Sequence, residues 1–280
     1  MRGPAGRIDR WVAFFFGLAV AALLAFILLP VVAIFARVPP GTLVAQLHSR
    51  VALDALEVSL RASLSALAVI LLFGTPAAYA LATRPRRHSA TLTTILELPL
   101  VLPPPVAGLG LLMAFGREGL LGGPLRAVGV TITFTQIAVV MALVFVSLPF
   151  FVRQAIASFQ SVDPQLIAAS RILGAGQART FFRVALPLAR PGLSAGAALA
   201  LARSLGEFGA TLMFAGSLPG STQTLPVAVF TELARDLDAA LAIAALLVAI
   251  SAGLFVGFKL LLREPHPSWL DSSSSTSAIV

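Results

Sequence analysis

The sequence predicts an all-α integral membrane protein with six transmembrane helices and a cytoplasmic loop that carries two short helices of its own. Three observations predict it. Of 280 residues, 58% are hydrophobic and 11% charged, with a mean hydropathy of +0.94, far more apolar than a soluble domain. Six stretches stay apolar for the ~20 residues that a membrane-crossing helix requires. The nineteen arginines and the single Lys259 fall mostly on alternate connections, as the cytoplasmic bias of positive charge demands.

The first span, 11–36, follows Arg2, Arg7 and Arg10. It is too long for the apolar core of a signal peptide, and no A-x-A-like cleavage site follows, so it reads as a retained helix. The second, 57–83, contains Pro76 and should kink there. The third, 91–116, contains Pro99 and the run Pro103 to Pro105. Three consecutive prolines remove three N–H donors and cannot continue a regular helix. Such backbone survives at membrane depth only where protein or a wet cavity covers it. The fourth span is 130–152.

A connection of about 39 residues, 153–191, comes next. Asp163-Pro164 reads as an N-cap with proline at the first helical position. "QLIAASRIL" continues as a helix, and Gly174 stops it. Leu166, Ala169 and Leu173 share a face, so this helix should dock against something. A second short helix, around "AGQARTFFRVAL", is expected to end at Leu186-Pro187. The last two spans are 192–216 and 238–262, and the Ser-rich tail "LDSSSSTSAIV" reads as disordered.

Six spans place both termini on one side. With the N-terminus inside, thirteen basic residues lie in cytoplasmic segments: Arg2, Arg7, Arg10, Arg84, Arg86, Arg87, Arg153, Arg171, Arg179, Arg183, Arg190, Lys259 and Arg263. Five lie opposite: Arg37, Arg50, Arg117, Arg126 and Arg235. The split favours N-in, C-in. The same rule explains the net charge of +8 without nucleic acid.

Several chemistries are excluded. No cysteine is present, so there are no disulfides or thiolate metal sites. His48, His88 and His266 lack metal-ligand spacing. Asp54, Glu57, Glu97 and Glu118 are read as ordinary charges near helix ends. A P-loop needs Gly-Lys-Ser/Thr, and Lys259 sits in "GFKLLL", so any ATP-Mg must be bound by another chain. "GLSAG", 192–196, fits the nucleophile-elbow spacing, but that motif needs a strand–turn–helix context and a histidine. Small residues recur every four positions, at Gly192, Gly196 and Ala200 and at Ser194, Ala198 and Ala202, which is the pattern of close helix packing.

"ARSLGEFGATLMFAGS" puts Arg203 and Glu207 inside an apolar helix. Spaced by four, they share a helix face, roughly 16 and 22 Å into the fifth span. Charges at that depth either staple helices or line a solute path, and both readings stay open. Ser204, Gly206, Gly209 and Thr211 beside them, and Pro103 and Pro104 in the third span, complete the candidate path or gate.

Two stretches carry a resemblance. "AASRILGAGQARTFFRVALP" resembles the EAA loop of the membrane subunits of bacterial binding-protein-dependent (type I) ABC importers. Gly174, Val184, Leu186 and Pro187 fall at the family spacing, and Ala169 and Ser170 match its small positions. Ala168 stands where the family has glutamate. "LPLVLPPPVAGLGLLMAFGREGLLG" and "ARSLGEFGATLMFAGSLPGSTQTLPVAVF" are similar to the molybdate permeases within that family. The sulfate and thiosulfate permeases share "GEFGA". The resemblance covers about 54–262, the expected permease core with five transmembrane helices. Residues 1–50 are then a cytoplasmic stub, the first span and an outer loop, and 263–280 a cytoplasmic tail.

The resemblance implies a type I importer permease fold in the bacterial inner membrane. It implies a homodimer, two ATPase subunits gripping the EAA loops, and an extracytoplasmic molybdate-binding protein. It implies import of molybdate or tungstate by alternating access, with no catalysis by this chain. The competing readings are a sulfate or thiosulfate permease, a membrane-embedded hydrolase using Ser194, and a stand-alone channel or carrier, which would not need the EAA-like loop.

Overall fold

The computed structural model describes residues 5–84 and 86–261, and the described residues are helices and connections. Among the described residues, five helices are long and apolar enough to cross a membrane, or six if a pair bent at a short break counts as one span. The expected Ser-rich tail lies outside the described residues.

Helix α1 (Ala5–Arg37) is exposed along nearly all of its described length, and its helix partner is α13. Its large apolar side chains are mostly exposed, which suits a helix solvated by lipid. A short α2 (Pro40–Leu47) leads to α3 (Arg50–Ala82), capped by the Ser49 hydroxyl, which accepts from Ala52 N–H at 3.2 Å. Glycine and alanine set the contact between α3 and α7 (Gln136–Gln160). A Cβ on Gly74 would come within 2.9 Å of the Phe151 ring.

The third crossing breaks where the prolines require. α4 (Arg86–Val101) and α5 (Pro104–Phe115) meet at a bend of 111°. A one-turn α6 (Gly122–Ala127) lies in the connection to α7. That helix is the hub of the fold, packed against α3, α4, α5, α10 and α11. Its Ala138, Ala142, Ser147 and Ala155 are fully buried, and such small side chains let helix backbones approach closely.

The fourth crossing is longer than the apolar window indicates. α7 runs to Gln160, so Arg153 stands inside a helix rather than in a loop. The connection between crossings is 161–176, holding α8 (Pro164–Ile172), with Asp163 accepting from Gln165 N–H at 2.8 Å. Gly174 closes α8 at φ +82°, a backbone conformation that suits glycine.

The second short helix does not end at Leu186-Pro187. α9 (Gln177–Thr180), a π-turn (Phe181–Ala185) and α10 (Leu186–Leu205) form one continuous run. A π-turn widens the backbone just ahead of Pro187, whose ring would otherwise meet the carbonyl four residues earlier. The chain then restarts as α11 (Gly209–Ala215), α12 (Leu225–Leu233) and α13 (Leu237–Leu261).

Of the two small-residue stripes on α10, the one through Gly192, Gly196 and Ala200 faces inward. Gly196 abuts Gln154 and Phe151 of α7, and Gly192 abuts Ser158. The other stripe is not buried, and the Ser194 hydroxyl is donated to the carbonyls of Arg190 and Pro191 at 2.8 and 2.9 Å. Replacing Gly196 by Leu should cost about 1–3 kcal/mol through overpacking, whereas Ala202→Leu on the exposed stripe should be nearly neutral. Thermal unfolding in detergent measures the difference, and equal losses would contradict the assigned faces.

Candidate functional site

The feature that organises the site is a second break. α10 ends at Leu205, Gly206 is its C-cap, and α11 begins at Gly209. Arg203 and Glu207 therefore do not share one helix face: the helix stops between them. They pair nonetheless. Arg203 Nη2 lies 2.6 Å from Glu207 Oε2, without the alignment of a hydrogen bond. Glu207 Oε1 accepts the N–H of Ala210 at 2.8 Å. One carboxylate, 1% exposed, thus ties the end of α10 to the start of α11. The charges match the local dipoles, with a cation at a helix C-terminus and an anion at an N-terminus.

The two breaks meet. A Cβ on Gly209 would lie 2.9 Å from the Pro105 ring and 3.1 Å from Pro104, and one on Gly108 would lie 2.7 Å from the Ala210 carbonyl and 2.8 Å from Met213. α5 and α11 therefore run side by side from neighbouring starting points, glycine to backbone. Pro103, Pro104 and Pro105 are exposed at this junction. The Pro104-Pro105 start of α5 lacks two N–H donors, while Val106 and Ala107 donate to the Pro103 carbonyl.

The other expected path residues are placed differently. Ser204 and Thr211 are buried within this protomer at 3% and 0% exposure. The Ser204 hydroxyl is donated to the Leu201 carbonyl at 2.8 Å. Gly206 is exposed and Gly209 buried. An apolar groove of about 630 Å³ runs along α7 beside Val69, Leu111, Phe115 and Phe145, with Gln136 as its polar lining side chain. It offers little to an anion.

At the other end of α10 stands α8. Ala168 and Ala169 are exposed, so no buried partner awaits the carboxylate that Ala168 replaces. Leu166, Ala169 and Leu173 are also exposed, and this face docks against nothing among the described residues. Ile172 and Leu173 are each 86% exposed. The inward face carries Ile167 and Ser170, and the Ser170 hydroxyl lies 3.0 Å from that of fully buried Thr180. Val184 and Leu186 are half-buried and Pro187 is exposed. Phe181 in the π-turn stacks against Tyr79 of α3 at 4.9 Å between ring centroids, and Tyr79 meets Phe159 of α7 at 5.2 Å.

Sequence reasoning missed three arrangements. Thr180 and the Tyr79–Phe159–Phe181 cluster anchor the π-turn, which local propensity does not reveal. Glu97, one turn before the end of α4, pairs with Arg153 of α7 at 3.6 Å; a lone acid in an apolar run was the signal. The "GSLPGSTQT" stretch is an internal network. Gln223 donates to Ser217 and Thr231, and Thr222 accepts from Leu218 N–H. Ser59 of α3 accepts the first N–H of α12 at 2.7 Å.

Residues 70–263 match the family described as binding-protein-dependent transport system inner membrane component. The chain belongs to that family. It is a membrane component of a transporter, not an enzyme. Among relatives, it is 41% identical over 256 residues to the "Molybdenum transport system permease protein ModB" of Mycobacterium tuberculosis (strain ATCC 25618 / H37Rv), covering 91% of this chain and 95% of that one. The ModB of Escherichia coli (strain K12) is 43% identical over 179 residues, covering 64% of this chain and 78% of that one. The fold is shared with a permease chain in a crystal structure of a bacterial alginate ABC transporter, at a TM-score of 0.73 and 16% identity, covering 92% and 96% of the two chains.

The dual attachment of Glu207 gives an ordered expectation. Glu207→Gln keeps an acceptor for the Ala210 N–H but loses the charge. Glu207→Ala loses both and leaves Arg203, 25% exposed, without its counter-ion. Melting temperature and folded yield should fall in the order wild type, Gln, Ala. An Ala variant as stable as wild type would contradict the staple geometry.

Proposed function

We propose that this chain is the membrane-spanning subunit of an ATP-driven importer that carries molybdate across the bacterial cytoplasmic membrane by alternating access. The observation that carries the substrate is the 41% identity to the M. tuberculosis molybdenum permease along nearly the whole of both chains. The chain has no Gly-Lys-Ser/Thr to hold nucleotide phosphates, so ATP-Mg belongs to a partner. α8 is the surface for that partner. It is a short, capped helix with an apolar tip, Ile172 and Leu173, each 86% exposed among the described residues.

The arginine distribution supports an orientation with both termini and α8 inside and the α11–α12 connection outside. Two copies build the pore, their exposed Pro103–Pro105 breaks facing the shared path. Two ATPase subunits grip the two α8 helices, and an extracytoplasmic binding protein delivers the anion. Nucleotide closure moves α8, and the continuous run from α9 to Leu205 carries that motion to the paired breaks by hinge and shear. The gate is the α5–α11 junction.

Its electrostatics suit passage rather than capture. Arg203 is neutralised by Glu207, and the α5 start offers few free donors. A dianion therefore meets weak contacts at the gate, and tight selection is left to the binding protein. Arg203 and Glu207 act as a staple that holds the gate's shape.

The test is ATP-dependent molybdate uptake into vesicles reconstituted with the cognate ATPase and binding protein. Uptake undiminished by excess sulfate is the expected result. Uptake of sulfate in preference to molybdate would replace the substrate reading, and transport without ATPase would overturn the importer reading. Ile172→Ser with Leu173→Ser should abolish co-purification of the ATPase while leaving the permease melting temperature unchanged. Retained co-purification would remove α8 as the docking surface.

A further inference from the structure

We propose that the Glu97–Arg153 pair is a transient subsite for a tetrahedral oxyanion on the α8 side of the gate. Arg153 stands inside α7, seven residues before its end. Its side chain is 72% exposed and that of Glu97 31% exposed. A guanidinium so open within a membrane helix is costly against lipid, and the arrangement fits a face turned to a wet cavity.

The pair is loose. Nε and Oε1 lie 3.6 Å apart, beyond hydrogen-bond range, so the guanidinium fork is not committed to the carboxylate. Arg203 differs, because its partner is buried and 2.6 Å away.

A polar seam leads to the pair. Ser89, Thr93 and Glu97 follow one another at four-residue spacing, hence on one face of α4, and all three are half-buried. This seam starts near the first residues of α4, beside the arginine-rich connection, and stops one turn before the break at Val101. That stripe gives α4 a partly exposed polar face leading to the pair.

Position along the path follows from helix register. Gly192 against Ser158 and Gly196 against Gln154 fix α10 antiparallel to α7. Continuing that register puts Ser147 level with Arg203. Arg153 then lies six residues, roughly 9 Å, further toward α8. An anion leaving the gate inward meets Arg153 next.

The chemistry is suited to brief occupancy. A guanidinium presents parallel N–H donors that match the oxygens of a tetrahedral oxyanion. Glu97 keeps the empty site neutral and competes with the anion, which shortens residence. The inference rests on the reading that this chain passes an oxyanion.

Equilibrium binding of radiolabelled molybdate to the purified permease–ATPase complex, nucleotide-free in detergent, tests it, with sulfate as a second probe. Glu97→Gln should bind molybdate roughly tenfold more tightly than wild type, as expected for removing one competing charge. Arg153→Gln should lose that binding, and Arg153→Lys, which keeps the charge without the fork, should weaken it with normal assembly. If Glu97→Gln tightens sulfate but not molybdate, the subsite stands and the molybdate reading falls. If neither anion binds more tightly, or Arg153→Lys binds as wild type does, the subsite is overturned. Lower melting temperatures with unchanged anion affinity would make the pair a structural tie and overturn it too.

Discussion

A helix that stops within a membrane leaves backbone polar groups that lipid cannot satisfy. This chain breaks one apolar span after Val101 and ends another long helix at Leu205, and the rest of the structure accommodates those two stops. Each break covers the other: Gly209 lies against Pro104 and Pro105, and Gly108 against Ala210. The proline run removes donors that would otherwise need partners. Glu207 supplies an acceptor for Ala210 N–H and a counter-charge for Arg203 in one side chain. Only glycine allows backbones this close, so the composition of the breaks follows from their geometry.

The same constraint explains why α7 is central. Two interrupted helices cannot support themselves as rods, and both α5 and α11 pack on the uninterrupted α7. Its other sides are filled by α3 and α10 through alanine and glycine contacts. A close-packed interior of this kind transmits displacement rather than absorbing it. The aromatic cluster of Tyr79, Phe159 and Phe181 holds the π-turn against two other helices.

Much of this was legible in the sequence, and the remainder has physical reasons for being hidden. Pro103–Pro105, Asp163-Pro164 and Gly174 are local signals, and each marks a real break, cap or stop. The continuation through Leu186-Pro187 was not legible, because the π-turn depends on Phe181 reaching Tyr79 and Phe159, far apart in sequence. The i,i+4 spacing of Arg203 and Glu207 gave the right partners on the wrong geometry: Gly206 ends the helix, and the pair spans the gap. Arg153 was misplaced because the apolar window ends there while the helix continues to Gln160. At the candidate site, the EAA-like spacing located α8 but not its tether, Ser170 on Thr180.

The central claim is that nucleotide-driven motion of α8 arrives at the paired breaks. The chain has no cysteines, so one can be introduced without background at Val101, which is 82% exposed beside the first break. With two copies assembled as proposed, spin-label distances between them, without nucleotide and with ATP trapped, report the motion directly. The account predicts a distance distribution that shifts between the two states in transport-competent complex. An unchanged distribution in complex that still imports molybdate would place the gate elsewhere and contradict the account.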